Sequence, residues 1–254
     1  MTDQSVSINH DVLGVIPARM ASIRFPGKPV VLVGGVPMVI RVYRQVQQAL
    51  SQVVIATCDT EITEVAKQYG AGVILTRKDH PNGTSRCMEA AELYKHQTGR
   101  TFRAIVNIQG DEPLISPAAI ALLSRQILKP DAEIATLVRT ERNISKIANP
   151  NRVKVVTDQN GFALYFSRSP IPYDSNRETA EQPWLCHTGI YAFKPDMLDK
   201  LVRLTPTPLE VAESLEQLRW LEHGFRILCC ETDYEGFGID TPEDLKELER
   251  SGKL

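Results

Sequence analysis

VLGVIPARMASIRFPGKP, residues 12–29, is the stretch that decides how this chain folds. Residues 12–16 form a short unbroken apolar run, as expected of a strand buried on both faces. The loop that follows, residues 17–29, carries three cations, Arg19, Arg24 and Lys28, among glycine and prolines. Pro37 then opens a helix in which Val39, Val42, Val46, Ala49 and Leu50 recur near helical spacing. The same alternation continues: a strand at 52–56, a helix at 61–68 closed by Gly70, a short strand at 73–75, a helix at 85–96 and a strand at 104–108. Repeated strand-loop-helix units predict a parallel sheet with helices on both faces. Ligands of such sheets sit beyond the carboxyl ends of the strands. The loops after the first, third and fourth strands are therefore where chemistry is sought.

After about residue 130 the pattern changes. Runs at 153–158 and 162–167 flank Asn160-Gly161, a hairpin signal, and 188–193 is a further strand. This reads as antiparallel structure added to the parallel core. Residues 208–223 read as one helix closed by Gly224, and a last helix starts at Thr241-Pro242, a cap followed by proline in the first turn. No internal repeat or low-complexity linker interrupts the 254 residues, which read as one α/β domain.

Charge is nearly balanced, 29 basic against 31 acidic residues. That argues against a nucleic-acid or anionic-membrane surface, which needs a basic excess. No apolar run approaches the roughly 20 residues of a membrane span. Residues 1–11 are polar, lack the parts of a secretory signal and read as a short disordered leader. Cys58, Cys87, Cys186, Cys229 and Cys230 form no C-x-x-C pair, so reduced thiols in a cytoplasmic protein are expected.

Four stretches have the makings of a polyphosphate site, each with a plainer reading as well. The 17–29 loop offers backbone and cations to a triphosphate, but also reads as an exposed basic loop. It is neither a Walker loop nor a G-x-G-x-x-G turn, which counts against P-loop and dehydrogenase chemistry. QGDEP, residues 109–113, puts Asp111 at a strand end, where a carboxylate can hold Mg²⁺ against phosphates, or is an ordinary turn. In GIDTPED, residues 238–244, Thr241 can cap and Pro242 can take the first turn. That leaves Asp240 free to complete a metal site with Asp111. TRKDHPNGTSR, residues 76–86, offers donors, acceptors and a positive helix end to a base edge, or is simply a capped loop. Arg168, His187, Tyr191, Glu216 and Gln217 are the groups a polyhydroxy carboxylate needs, but spacing alone does not bring them together.

In this order, PAR…S.R.PGKP (17–29), TRKDHPNGTSR (76–86), NIQGDEP (107–113), ALYFSRSPIP (163–172), H.GIYAF (187–193), LEQLR (215–219) and DTPEDL (240–245) resemble the 3-deoxy-manno-octulosonate cytidylyltransferase family over about residues 13–248. The resemblance implies a Rossmann-like nucleotidyltransferase core with a mostly parallel sheet. It implies a cytoplasmic, Mg²⁺-dependent homodimer that joins CTP to the sugar acid KDO for lipopolysaccharide synthesis, releasing pyrophosphate. Residues 12–130 and 205–250 would mainly bind nucleotide and metal, and the antiparallel lobe, 131–204, would serve substrate and dimer. Arg19 and Lys28 would hold the CTP phosphates, and Arg77, Gly83 and Thr84 would face cytosine and ribose. Asp111 and Asp240 would ligate magnesium, while Gln109, Arg168, His187, Tyr191, Glu216 and Gln217 would line the sugar-acid pocket. Phe25 and Thr188 stand where many members carry leucine, and Ser169-Pro170 replaces the commoner Ala-Thr. These departures leave KDO and an 8-amino relative as alternatives. Other readings are a sialic-acid-type activating enzyme and a nucleotide-binding protein without turnover. Nothing in the chain looks like an activated Ser, Cys or Lys beside a base, so direct in-line attack is expected.

Overall fold

The computed structural model describes residues 7–22, 24–175 and 184–254. The first strand, β1 (Asn9–Pro17), is buried from Val12 to Ile16. A two-stranded ribbon, β2 (Leu32–Val33) and β3 (Val36–Pro37), leads into α1 (Met38–Gln47). Then follow β4 (Leu50–Thr57), α2 (Thr60–Gln68), β5 (Val73–Leu75), α3 (Gly83–Thr98), β6 (Ala104–Asn107) and α4 (Pro117–Gln126). The second half comprises β7 (Ile134–Glu141), α5 (Ile144–Ala148), β8 (Lys154–Thr157), β9 (Ala163–Ser167), β10 (Trp184–Phe193), α6 (Pro195–Leu201), α7 (Pro208–Glu213), α8 (Glu216–Glu222), β11 (Ile227–Glu231) and α9 (Pro242–Arg250).

The main sheet runs in the order β11-β7-β10-β6-β1-β4-β5. β6, β1, β4 and β5 are parallel neighbours, as the strand-loop-helix rhythm predicts. Its carboxyl edge therefore presents the loops after β1, β4, β5 and β6 side by side. Val39, Val42 and Val46 of α1, Ile62 of α2 and Ile120 and Leu123 of α4 pack on one face of the sheet. Cys87 and Ala90 of α3, Leu198 of α6 and Leu218 and Trp220 of α8 pack on the other. The expected α/β fold is borne out.

Particular elements differ. The polar leader is shorter than expected, because residues 9–11 already belong to β1: the Asn9 amide donates to Ala49 O and the Arg103 amide to Asp11 O, each at 2.8 Å. Residues 1–6 lie outside the described residues. The single helix expected over 208–223 is two, broken at Ser214, which adopts a left-handed φ of 51°. The apolar spacing of Val211, Leu215 and Leu218 hides the break, since one left-handed residue leaves no composition signal. β7 and β11 are strands that periodicity does not announce; they pair in parallel with each other. β10 runs antiparallel between β6 and β7. The 153–167 hairpin forms as read, as β8 and β9, turning at Gly161 with φ 81°. The fully buried Lys154 anchors it, its ammonium donating to the carbonyls of Asn149, Arg152 and Arg168.

A third apolar cluster joins the basic loop to the carboxyl-terminal helix. Phe25 from the basic loop, Val33 from β2, Met38 from α1, Ile239 just before α9 and Leu248 within α9 pack together. It folds the carboxyl-terminal helix back onto the loop after β1. All five cysteines are free thiols, and no described helix is long and apolar enough to cross a membrane.

Leu13, fully buried in the central strand, tests this core. Leu13→Ala should cost about 2–5 kcal/mol, read as a lowered midpoint in denaturant or thermal unfolding.

Candidate active site

The carboxyl edge opens into a cleft of about 620 Å³, lined by the basic loop, the first turn of α3 and residues 109–111. On its floor, Lys28 Nζ lies 2.6 Å from Asp111 Oδ2 and 3.2 Å from Asp240 Oδ1. Arg24 reaches the same Asp240 oxygen at 3.0 Å. Arg19 is exposed at the cleft wall and makes no ion pair among the described residues. Residues far apart in the chain thus meet at one cation.

Local chemistry accounts for each position. Gly27 caps the short 3₁₀ turn of residues 28–30 with φ 72°, a backbone that an L side chain rarely adopts. That turn aims Lys28 inward. Gly110 lies so close to β1 that a Cβ there would stand 3.0 Å from Pro17 O, which explains a glycine between Gln109 and Asp111. At α9, Thr241 and Asp244 form the capping box: Asp244 Oδ2 accepts from the amides of Asp240 and Thr241, and the Asp244 amide donates to Thr241 Oγ1. The Asp240 carboxylate is spared from capping and faces Lys28, as the sequence suggests. The Ile239 amide donates to Asp111 O at 2.9 Å, tying the two aspartate loops together by backbone.

Among the described residues no cluster of three or more His, Cys, Asp or Glu could hold a metal ion. The Asp111–Asp240 pair nonetheless fits Mg²⁺, which takes one or two carboxylates and completes its shell with water and phosphate. The observation behind this fit is that both carboxylates already converge on a single cation, the Lys28 ammonium.

Residues 76–86 flank the same cleft. Asn82 caps α3 by accepting from the Ser85 amide at 2.9 Å. Gly83 and Thr84 form the helix's first turn, and Arg77 is exposed beside Glu89 at 3.3 Å. The Glu216 carboxylate accepts from Asn82 Nδ2 and Thr84 Oγ1, both at 2.8 Å. It therefore straps this loop to α8. Burial pushes Glu216 above the ordinary carboxylate range, while the Thr84 bond and Arg219 oppose the shift.

Of the expected sugar-acid residues, the structure gathers five around β10 and α8. Gln109 Nε2 donates to Gly189 O at 3.0 Å. His187 and Tyr191 stand with ring centroids 5.2 Å apart. Glu216 and Gln217 begin α8, Gln217 being buried. Tyr191 Oη is buried without a hydrogen-bond partner among the described residues, a handle for a ligand hydroxyl. Burial drives His187 down to about 3, so it is neutral near pH 7 and meets Thr136 Oγ1 as a hydrogen-bonding group, not as a cation. Arg168 stands apart: among the described residues its guanidinium donates to the carbonyls of Glu213, Pro150 and Ser214.

Several supporting residues escape sequence reading. Asp59, after β4, accepts from the Met20 amide at 2.6 Å and so holds the basic loop. Glu112, pushed up to about 7 by burial despite the Tyr234 hydroxyl bond and helped by the Asp111 charge, anchors the loop that carries Asp240. Glu235 of that loop is gripped by Lys146, Arg139 and Arg152 at 2.8–3.1 Å. These partners lie scores of residues away, and no local pattern marks them.

Two outcomes follow. Gly110→Ala should shift the Asp111 loop and lower nucleotide-dependent activity more than stability, checked by turnover beside thermal unfolding. The Lys146 hydrogen bond, with Arg139 and Arg152, holds Glu235 down at about 2. A depressed carboxyl stabilises the fold above its unfolded value, and that contribution fades as pH falls from about 4.5 toward 2. The stability gap between wild type and Glu235→Gln should therefore be constant above pH 5 and close on acidification, read by denaturant titrations across pH.

The profile of the cytidylyltransferase family matches residues 13–227. A relative from Cytophaga hutchinsonii named 3-deoxy-manno-octulosonate cytidylyltransferase is 43% identical over 247 residues, 94% of this chain and 97% of its own. One of the same name from Solibacter usitatus is 46% identical, with 94% and 93% covered. Among solved structures, a CMP:2-keto-3-deoxy-manno-octonic acid synthetase complexed with CTP superposes with a TM-score of 0.87 at 37% identity, over 96% of this chain and 99% of that one. With this similarity spanning nearly its whole length, the chain belongs to the 3-deoxy-manno-octulosonate cytidylyltransferase family.

Proposed function

We propose that this protein is a nucleotidyltransferase that couples CTP to 3-deoxy-D-manno-octulosonate, giving CMP-KDO and pyrophosphate. The observation that carries this reading is the convergence of Asp111 and Asp240 on the Lys28 ammonium beneath a cleft rimmed by Arg19 and Arg24. That arrangement suits a triphosphate reacting at its α-phosphate, and the near relatives carry the matching name.

Arg19 and Lys28 receive the CTP phosphates and offset the charge that passes to pyrophosphate as the α-phosphorus reacts. Arg77, Gly83 and Thr84 frame the base and ribose, with the amino end of α3 adding positive potential. Gln109, His187, Tyr191, Glu216 and Gln217 orient the sugar acid, and the Arg168 guanidinium pairs with its carboxylate. Asp111 and Asp240 would hold Mg²⁺, which would supply Lewis-acid charge to the reaction. The sugar's anomeric hydroxyl oxygen attacks phosphorus in line, forming the new P–O bond as the bond to pyrophosphate breaks, and its proton passes to solvent. No side chain of the chain becomes covalently attached. His187, being neutral, orients the sugar through hydrogen bonding.

In this reading residues 12–130 and 205–250 serve mainly nucleotide and metal, and 131–204 help to serve the sugar and the contact between two copies in a cytoplasmic homodimer. The exposed apolar side chains Leu164, on β9, and Tyr173 support a contact role for that segment. Product CMP-KDO would feed lipopolysaccharide assembly.

Pyrophosphate release that needs both CTP and the sugar acid is the deciding measurement, with ATP, GTP and UTP as comparisons. Asp111→Asn and Asp240→Asn should each lower kcat/KM by about 100-fold or more with the fold retained. Near-normal turnover in either variant would remove that aspartate from the metal role.

A further inference from the structure

The stretch joining β5 to α3 has almost no apolar support. Arg77, Lys78 and Asp79 are exposed, and none belongs to a helix or strand. Its shape therefore rests on polar contacts: Glu216 takes Asn82, and those of Arg77 and His80 concentrate on a second carboxylate behind the cleft. Glu89, on α3, accepts from the Arg77 amide at 2.9 Å and from the ring of His80, while its second oxygen faces Arg77 Nε at 3.3 Å. The His80 ring, nearly buried, then meets Ser85 Oγ at 3.1 Å, and that hydroxyl donates to Asn82 O at 3.1 Å. Arg86 secures the loop's start through Thr76 Oγ1 and Arg77 O. His80, Asn82, Gly83 and Arg86 all line the cleft, whereas Glu89 does not.

We infer that Glu89 is a positioning residue for nucleobase recognition: by pinning both Arg77 and His80 it sets the chain's affinity for CTP and its preference for cytosine. Burial alone would raise the Glu89 carboxyl, yet hydrogen bonds from His80 and the Arg77 amide, with both charges, hold it below the ordinary range. Glu89 is thus an anion at neutral pH, and hydrogen bonds to a charged acceptor are the stronger kind. Without it, residues 77–80 lose their only carboxylate anchor among the described residues, while the phosphate side of the cleft keeps Asp59, Lys28 and Asp111 in place. The inference rests on the proposed nucleotide reading of this loop and extends it to a residue outside the cleft.

The test is isothermal titration of the full-length protein with CTP, UTP and inorganic pyrophosphate, beside steady-state kinetics. Glu89→Ala should weaken CTP binding about tenfold or more and narrow the CTP-to-UTP preference. Pyrophosphate affinity should stay within about twofold, because pyrophosphate reaches only the cationic loop. In kinetics KM for CTP should rise with kcat little changed. Glu89→Gln keeps an oxygen for the Arg77 amide and should recover part of the loss; it also carries the comparison if the alanine variant does not fold. Unchanged CTP affinity and base preference would overturn the inference, as would equal weakening of CTP and pyrophosphate, the mark of general destabilisation. A wild-type protein that binds CTP yet never releases pyrophosphate would count against the proposed reaction instead, leaving the Glu89 comparison to be read from binding.

Discussion

Two carboxylates meeting one ammonium is the constraint around which the site is organised. Asp111 and Asp240 would repel each other at close range, and Lys28 between them turns that repulsion into attraction. The arrangement persists because nonpolar packing enforces it. Phe25, Val33, Met38, Ile239 and Leu248 bury one another, and the Ile239 amide reaches Asp111 O. Hydrophobic burial brings the segments together, and the ion contacts then select the geometry.

The sheet and the loops divide the work. Strands β1, β4, β5 and β6 align in parallel, so their loops emerge at one edge with little freedom to drift apart. Each loop is then tied by a polar group from elsewhere: Asp59 to the Met20 amide, Glu89 to Arg77 and His80, Tyr234 to Glu112. These anchors stand behind the ligand-facing side chains. A loop rich in glycine, proline and cations thus holds one shape through these polar ties together with the burial of Phe25.

The region around β10 is built differently, from buried aromatic and polar groups on an antiparallel strand. Tyr191 stacks near Phe193 and meets Trp220 edge-on, and His187 lies between Phe166 and Tyr191. Desolvation there keeps His187 neutral. Cationic character is concentrated in the cleft of the basic loop, and neutral hydrogen-bonding groups around β10. Glu216 joins the two regions by bonding Asn82 and Thr84 from α8.

Much of this could be read from residue order. The apolar run 12–16, the cations after it, the aspartate after β6 and the Thr241-Pro242 start of α9 are local signals, because burial, capping and proline geometry act over a few residues. Those signals also isolated Asp240, since the capping box leaves its carboxylate unused. The break at Ser214 was illegible because a left-handed serine looks like any other serine. The parallel pairing of β7 with β11 joins segments about ninety residues apart and depends on which sheet edge remains open. Asp59, Glu89, Glu112 and Glu235 were invisible for a related reason: a carboxylate's role depends on the charge and amides that face it, and those come from elsewhere in the chain. Sequence alone determined the alternation of elements and the chemical kinds of residue at the strand ends. Only the tertiary structure decided which of them share a cation, because that convergence is set by long-range packing and not by local propensity.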